Sequence, residues 1–191
     1  SFGLVLLVRH FKEAIPLQTT AMNETTTIMG GYDNIEKAIL NIRSRAKPQV
    51  IAICSTGLTE TKGDDVDGYI ALARQKHPEL ADTEIIYVST PDYLGAFQDG
   101  WAKAVTTLVT KVPRLDTPRC EGRINVLPGS HLTPGDIEEL REIIEAFGLD
   151  AAFVPDVSGS LDGHIPDDWL GTTIGGTPLK ALQEIGGAAH T

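Results

Sequence analysis

The chain has 191 residues, 41% hydrophobic and 22% charged, with a net charge of −10 at neutral pH and only two cysteines. That is enough apolar material for a core, which excludes a disordered chain. The acidic balance, with no Lys/Arg cluster to offset it, disfavours binding to phosphate backbones and anionic membranes and serves solubility. Cys54 and Cys120 have no CxxC or zinc spacing and read as free thiols of a reducing cytoplasm. No apolar run reaches the length of a membrane span. The start inside an apolar run without Met, and the end at AAHT without a closing element, read as cuts through a longer protein.

In chain order, Leu4–Phe11 reads as the remainder of a helix and Ile15–Thr20 as a short strand. A helix capped by Asp33, with Glu36 at the capping-box position, places Ile35, Ala38, Ile39, Ile42 and Ala46 on one face until Pro48 stops it. Gln49–Cys54 is a continuous apolar run, the pattern of a strand covered on both faces. A polar segment, Ser55–Gly63, leads to a helix that starts at Asp64 and Asp65 and runs to Lys76. Glu84–Val88 is the next buried strand. Phe97, Trp101, Ala104, Val105, Leu108 and Val112 then form one stripe of a long helix.

Residues 113–123 hold two prolines, a glycine and several charges, and read as a linker between a first Rossmann-like unit (1–112) and a partial second α/β unit (124–191). After the linker, Ile124–Leu127 is a strand. Thr133 caps a helix with Pro134 at its first position and Asp136 at its third; Ile137, Leu140, Ile143, Ile144 and Phe147 are its buried face, and Gly148 ends it. Ala151–Val154 is a further strand, and a weak helix follows near Leu179–Ile185.

Strands separated by helical crossovers predict an α/β fold, a Rossmann-like, doubly wound and mostly parallel sheet. Ligands of such sheets sit at the carboxyl ends of the strands. Those ends are Ser55-Thr56-Gly57, Ser89-Thr90-Pro91, Gly129-Ser130-His131 and Pro155-Asp156. The residues there do not announce a chemistry. There is no GxxxxGK(S/T), GxGxxG or GxSxG. Ser130-His131 and Gly163-His164 are sequence neighbours only, whereas triads are assembled in space. The five histidines offer no i, i+4 pair for a metal. Cys54 reads first as a small hydrophobe in the core and, alternatively, as a thiol facing a cavity. Asp64 and Asp65 read first as a solvated helix start and second as a cation site.

Longer motifs are more specific. Arg9–Glu13 (RHFKE), Pro16–Glu24 (PLQTTAMNE), Gly30-Gly31 and Ile51–Asp65 (IAICSTGLTETKGDD) resemble the nitrogenase component 1 superfamily. Cys54–Glu60 (CSTGLTE), Leu127–Asp136 (LPGSHLTPGD), Ser158–Gly163 (SGSLDG) and Ala188–Thr191 resemble, within it, the beta-type scaffold subunits on which the iron-molybdenum cofactor is matured. The resemblance implies nitrogen fixation as the setting and a NifE-type alpha subunit as partner, two such pairs forming a heterotetramer. It also implies docking by the nucleotide-driven iron protein NifH and the nitrogenase catalytic protein as cofactor recipient. The parent complex is expected to hold a 4Fe-4S cluster and a cofactor precursor. The cluster cysteine is expected just upstream of Ser1, so the chain itself is expected to bind no cluster and to have no intrinsic catalysis. Ser1, Phe2, Gly3, Ser55, Thr56 and Gly57 become interface-loop candidates, and Glu24, Ile28 and Met29 iron-protein docking candidates. In catalytic beta subunits of the family the segment matching Ser55–Asp65 carries a P-cluster cysteine; the matching residue here is Gly57. The competing readings are a beta-type component of a nitrogenase-like reductase, including dark protochlorophyllide reductase, and a free-standing α/β ligand-binding module.

Overall fold

A computed structural model describes residues 16–20, 22, 28, 30–159, 167–168, 170–172 and 175–190. The predicted Leu4–Phe11 helix and the candidates Ser1, Phe2, Gly3, Glu24 and Met29 lie outside the described residues.

Helix α1 (Tyr32–Ala46) buries Ile35 and Ile39, the face its periodicity predicts. Its cap is Gly31, not Asp33: Asp33 lies in the first turn, and Glu36 accepts hydrogen bonds from Tyr32 Oη (2.7 Å) and pairs with His77 Nε2 (3.0 Å) instead of closing a capping box. Lys47 ends the helix in the left-handed region at φ 46°, its N–H donating to Arg43 O, and Pro48 follows it. Pro16–Thr20 is not a strand. Pro16 has no N–H for a ladder, and the segment is tied to α1 by side chains, with Asn34 Nδ2 donating to Thr20 O (2.9 Å) and Asn41 Nδ2 to Gln18 Oε1 (2.7 Å).

Strand β1 (Val50–Cys54) pairs in parallel with β2 (Glu84–Val88), from Val50 beside Glu84 to Cys54 beside Val88. Between them come α2 (Gly57–Lys62), α3 (Val66–Lys76) and a 3-10 turn (Pro78–Asp82). Helix α2 was hidden within the polar Ser55–Gly63 segment: Thr56 N donates to Thr59 Oγ1 (2.9 Å), and Gly63 ends the helix at φ 72°. Helix α3 starts where its acids predict, Asp65 Oδ1 accepting from Gly68 N at 2.9 Å. Asp64 is not solvated. Its carboxylate is nearly enclosed, paired with Lys62 Nζ (2.9 Å) and accepting from Tyr69 Oη (3.2 Å).

The two faces of β2 show why the fold is doubly wound. Alternate residues of a strand point to opposite faces. Ile85 joins a core of Ile35, Ile39, Ile51, Val66, Ile70, Ala73 and Leu80 on the α1/α3 side. Ile86 and Val88 join a second core with Val112, Val154, Leu182 and Ile185, against which Ala104, Leu108 and Val109 of α4 (Phe97–Lys111) pack. Strand β1 departs from the doubly covered expectation, since Ala52 and Cys54 are exposed among the described residues. The stripe of α4 also starts later than its periodicity suggests, because Phe97 is 74% exposed.

A second sheet has the order β4-β3-β5, all parallel: β3 (Cys120–Val126), β4 (Asp150–Phe153) and β5 (Ala188–His190). β3 begins at Cys120, inside the segment read as a linker. Helix α5 (Pro134–Ala146) has the predicted cap, Thr133 N donating to Asp136 Oδ2 (2.7 Å) and Asp136 N to Thr133 Oγ1 (3.3 Å). Its predicted buried face is only partly covered. Ile137 is buried, but Ile143 is half-open and Phe147 is 79% exposed. Helix α6 (Leu179–Gln183) and a 3-10 turn (Ile185–Gly187) close onto the second core and lead into β5. No described helix is long and apolar enough to cross a membrane.

Candidate functional site

The carboxyl ends of β1 and β2 finish in register, so their two exit loops leave side by side. Ser55 extends the ladder by donating its N–H to Val88 O (3.1 Å). Its buried hydroxyl accepts from Thr90 N (2.8 Å), and Thr90 Oγ1 donates back to Ser55 O (3.0 Å). This cross-tie fixes the spacing of the two loops. One step further out, Gly57 N at the start of α2 donates to Asp92 Oδ1 (3.1 Å). Gly57 is buried, and a Cβ added there would lie 2.2 Å from Asp92 Oδ1 and 3.0 Å from Tyr93 Cδ1. Trp101 Nε1 on α4 donates to Pro128 O (3.2 Å), next to the third predicted rim loop.

Beneath the rim, Tyr87 Oη donates to Glu60 Oε1 at 2.5 Å. The Glu60 carboxyl is held below the usual carboxylate range, first by a hydrogen bond with Ser55 and then by that with Tyr87, with smaller help from Ser89 and the charge of Lys103. The Tyr87 phenol is pushed up, first by burial and next by Glu60. Because folding favours ionised Glu60, its contribution to stability is complete above the unfolded carboxylate range, about pH 4.3, and is lost as pH falls through the lower folded value. Glu60→Gln is therefore expected to flatten the acid limb of a Tm-against-pH profile below about pH 5. Acid limbs that superimpose for variant and wild type would count against it.

Cys54 is not packed in the core. It is partly open to solvent and lines a groove of about 400 Å³ beside β1, together with Gln18, Met22, Ile39, Ile53 and Leu58. This favours the alternative of a thiol facing a cavity. Burial by the groove walls nonetheless pushes the thiol up, partly offset by a hydrogen bond with Thr90. A protonated thiol is a poor nucleophile and a poor metal ligand. Among the described residues no group of three or more His, Cys, Asp or Glu side chains could hold a metal ion. Of the interface candidates, Ser55, Thr56 and Gly57 are brought together on the rim. Of the docking candidates, Ile28 is 81% exposed.

Asp92, Glu60 and Tyr87 were missed from the sequence. Periodicity puts Tyr87 in a strand and leaves Asp92 in a loop. Neither a motif nor a spacing pairs Asp92 with a glycine 35 residues away.

The family model for nitrogenase component 1 type oxidoreductases matches residues 1–191. The chain belongs to this family. It is similar to proteins called nitrogenase iron-molybdenum cofactor biosynthesis protein NifN, at 57% identity in Bradyrhizobium diazoefficiens and 50% in a Nostoc species, in both cases over 100% of this chain. It spans 41% and 43% of the length of those two relatives. A solved structure, nitrogenase Cp1 at pH 6.5, superimposes with a TM-score of 0.88 at 32% identity, covering 98% of this chain and 40% of that one. The doubly wound parallel architecture is thus that of the nitrogenase component 1 family. At the position where the resemblance puts a P-cluster cysteine in catalytic beta subunits, this rim carries Gly57. Gly57 has no side chain to act as a ligand, and its N–H is held by the Asp92 carboxylate instead.

Proposed function

We propose that this chain is part of the beta-type subunit of a scaffold on which the nitrogenase iron-molybdenum cofactor is matured, in the cytoplasm. The observation that carries the reading is the rim at Gly57: a nitrogenase component 1 fold with no ligating side chain where an electron-transfer relative would need a thiolate. Similarity along the whole chain to proteins named for cofactor biosynthesis supports it. The scaffold holds a 4Fe-4S cluster and a cofactor precursor through residues of the parent protein and its partner, and the matured cofactor passes to the nitrogenase catalytic protein.

Pairing with a NifE-type alpha subunit is assigned to the rim. Leu58, Tyr93, Leu94 and Phe97 are exposed beside Gly57 and Asp92, and exposed apolar clusters of this kind mark protein interfaces. Docking of the iron protein NifH is assigned to the segment with Glu24, Ile28 and Met29, where exposed Ile28 supplies an apolar contact.

The decisive experiment uses the full-length protein produced with its alpha-type partner. After incubation with iron protein, nucleotide, molybdate and homocitrate, the complex is expected to activate cofactor-free nitrogenase. Substrate reduction by the complex itself, with no activation of the cofactor-free protein, would establish the reductase reading instead. In the same complex, Leu94→Asp combined with Phe97→Asp is expected to weaken subunit association by about a hundredfold, read by size-exclusion chromatography and titration. Unchanged association would remove the rim from the interface.

A further inference from the structure

Helix α2 carries Leu58, which belongs to the exposed apolar cluster of the rim, yet it is only 6 residues long. A helix that short does not hold itself, because its first turn fixes several backbone angles in return for a single hydrogen bond. Its caps are local: Thr56 N donates to Thr59 Oγ1 (2.9 Å), and Gly63 closes the far end. Glu60 ties it to the sheet. Tyr87 Oη donates to Glu60 Oε1 at 2.5 Å, between residues 27 apart in sequence. The two ends of that bond differ in rigidity. Tyr87 belongs to β2, which is paired with β1 from end to end, and its ring packs against the core that contains Ile35, Ile39 and Ile51. Its hydroxyl is thus a fixed point at the edge of the core. The Glu60 carboxylate, which also takes hydrogen bonds from Ser55 and Ser89 beyond the two strand ends, is drawn to it.

We propose that Tyr87 is a positioning residue for the subunit-docking face of the rim: through the Glu60 carboxylate, its hydroxyl sets where α2 lies, and with it how Leu58 stands relative to Tyr93, Leu94 and Phe97. Without this tie α2 must be ordered as the partner binds, and the cost of ordering is subtracted from the affinity. The inference rests on the assignment of the rim to pairing with the alpha-type subunit. It adds that a residue of the strand, not of the rim itself, governs that pairing.

The test uses the full-length protein and its alpha-type partner. Tyr87→Phe keeps the ring in the core and removes only the donor. It is expected to weaken association about tenfold, and to speed hydrogen exchange in α2 while exchange in β1 and β2 stays as in the wild type. Glu60→Ala is expected to weaken association to the same degree, and adding Tyr87→Phe to it to change nothing further. Glu60→Gln, which keeps an acceptor for the hydroxyl, is expected to stay within about threefold of the wild type. Wild-type affinity in Tyr87→Phe, in a complex that Leu94→Asp with Phe97→Asp does weaken, would overturn the inference and leave the rim assignment standing. Additive losses in the double variant would overturn it too, as would faster exchange in β2 in step with α2. If neither Tyr87→Phe nor the rim variant weakens association, both readings fall.

Discussion

Leu80→Ala in the full-length protein is expected to destabilise the unit built on β1 and β2 by roughly 2–5 kcal/mol, toward the upper end of that range. Leu80 is 0% exposed and sits in the 3-10 turn between α3 and β2, within the core formed by Ile35, Ile39, Ile51, Val66, Ile70, Ala73 and Ile85. The cost of a large-to-small change depends on how far the site can collapse. Here it cannot collapse far. Leu80 N donates to His77 O (3.0 Å), and Leu80 O accepts from Thr83 N (3.2 Å) and from Arg74 Nη1 (3.1 Å). Arg74 Nη2 also donates to Thr83 O (2.9 Å), which pins the far side of the turn. The measurement is denaturant unfolding monitored on this unit. Leu72→Ala, at a partly exposed position on the outer face of α3, serves as a control expected to cost far less. Equal losses at the two positions would show that Leu80 is not enclosed as described.

Gly187→Ala is expected to be the most damaging single methyl addition in the second sheet, costing roughly 1–3 kcal/mol or more. An added Cβ would lie 2.4 Å from Pro118 O and 2.8 Å from Thr117 Cγ2. Unlike a side-chain tip, the Pro118 carbonyl has nowhere to go. Its segment is anchored by Arg114 N donating to Gln183 O (2.8 Å) and by Thr117 Oγ1 donating to Arg114 O (3.1 Å). The methyl would have to push the 3-10 turn away, and β5 with it, from β3. Faster hydrogen exchange across Cys120–Ile124, with a lower Tm, is the expected result. Gly122→Ala in β3 is the control: nothing lies within 4 Å of its added Cβ, so its effect should be slight. Exchange rates as slow in Gly187→Ala as in Gly122→Ala would refute the expectation.

Interactions confined to a few neighbouring residues were legible from the chain alone. The 3.6-residue period placed Ile35 and Ile39 in the core, Asp65 and Thr133 announced the starts of α3 and α5, and the apolar run at Glu84–Val88 marked β2 with its observed limits. Short sequence stretches likewise carried the likeness to the nitrogenase component 1 family, which the family match bears out. What local pattern could not supply was which faces are covered and which loops meet. Ile143 and Phe147 share the period of Ile137 yet stand open, because cover comes from elements distant in sequence. The Ser55–Thr90 and Gly57–Asp92 contacts each join residues 35 apart. They exist because the parallel register of β1 and β2 ends both strands at one level. Propensity, period and capping act over one or two turns of chain and so are written in its order. The Gly57–Asp92 contact depends on strand register and loop spacing, quantities that arise only when separate segments pack.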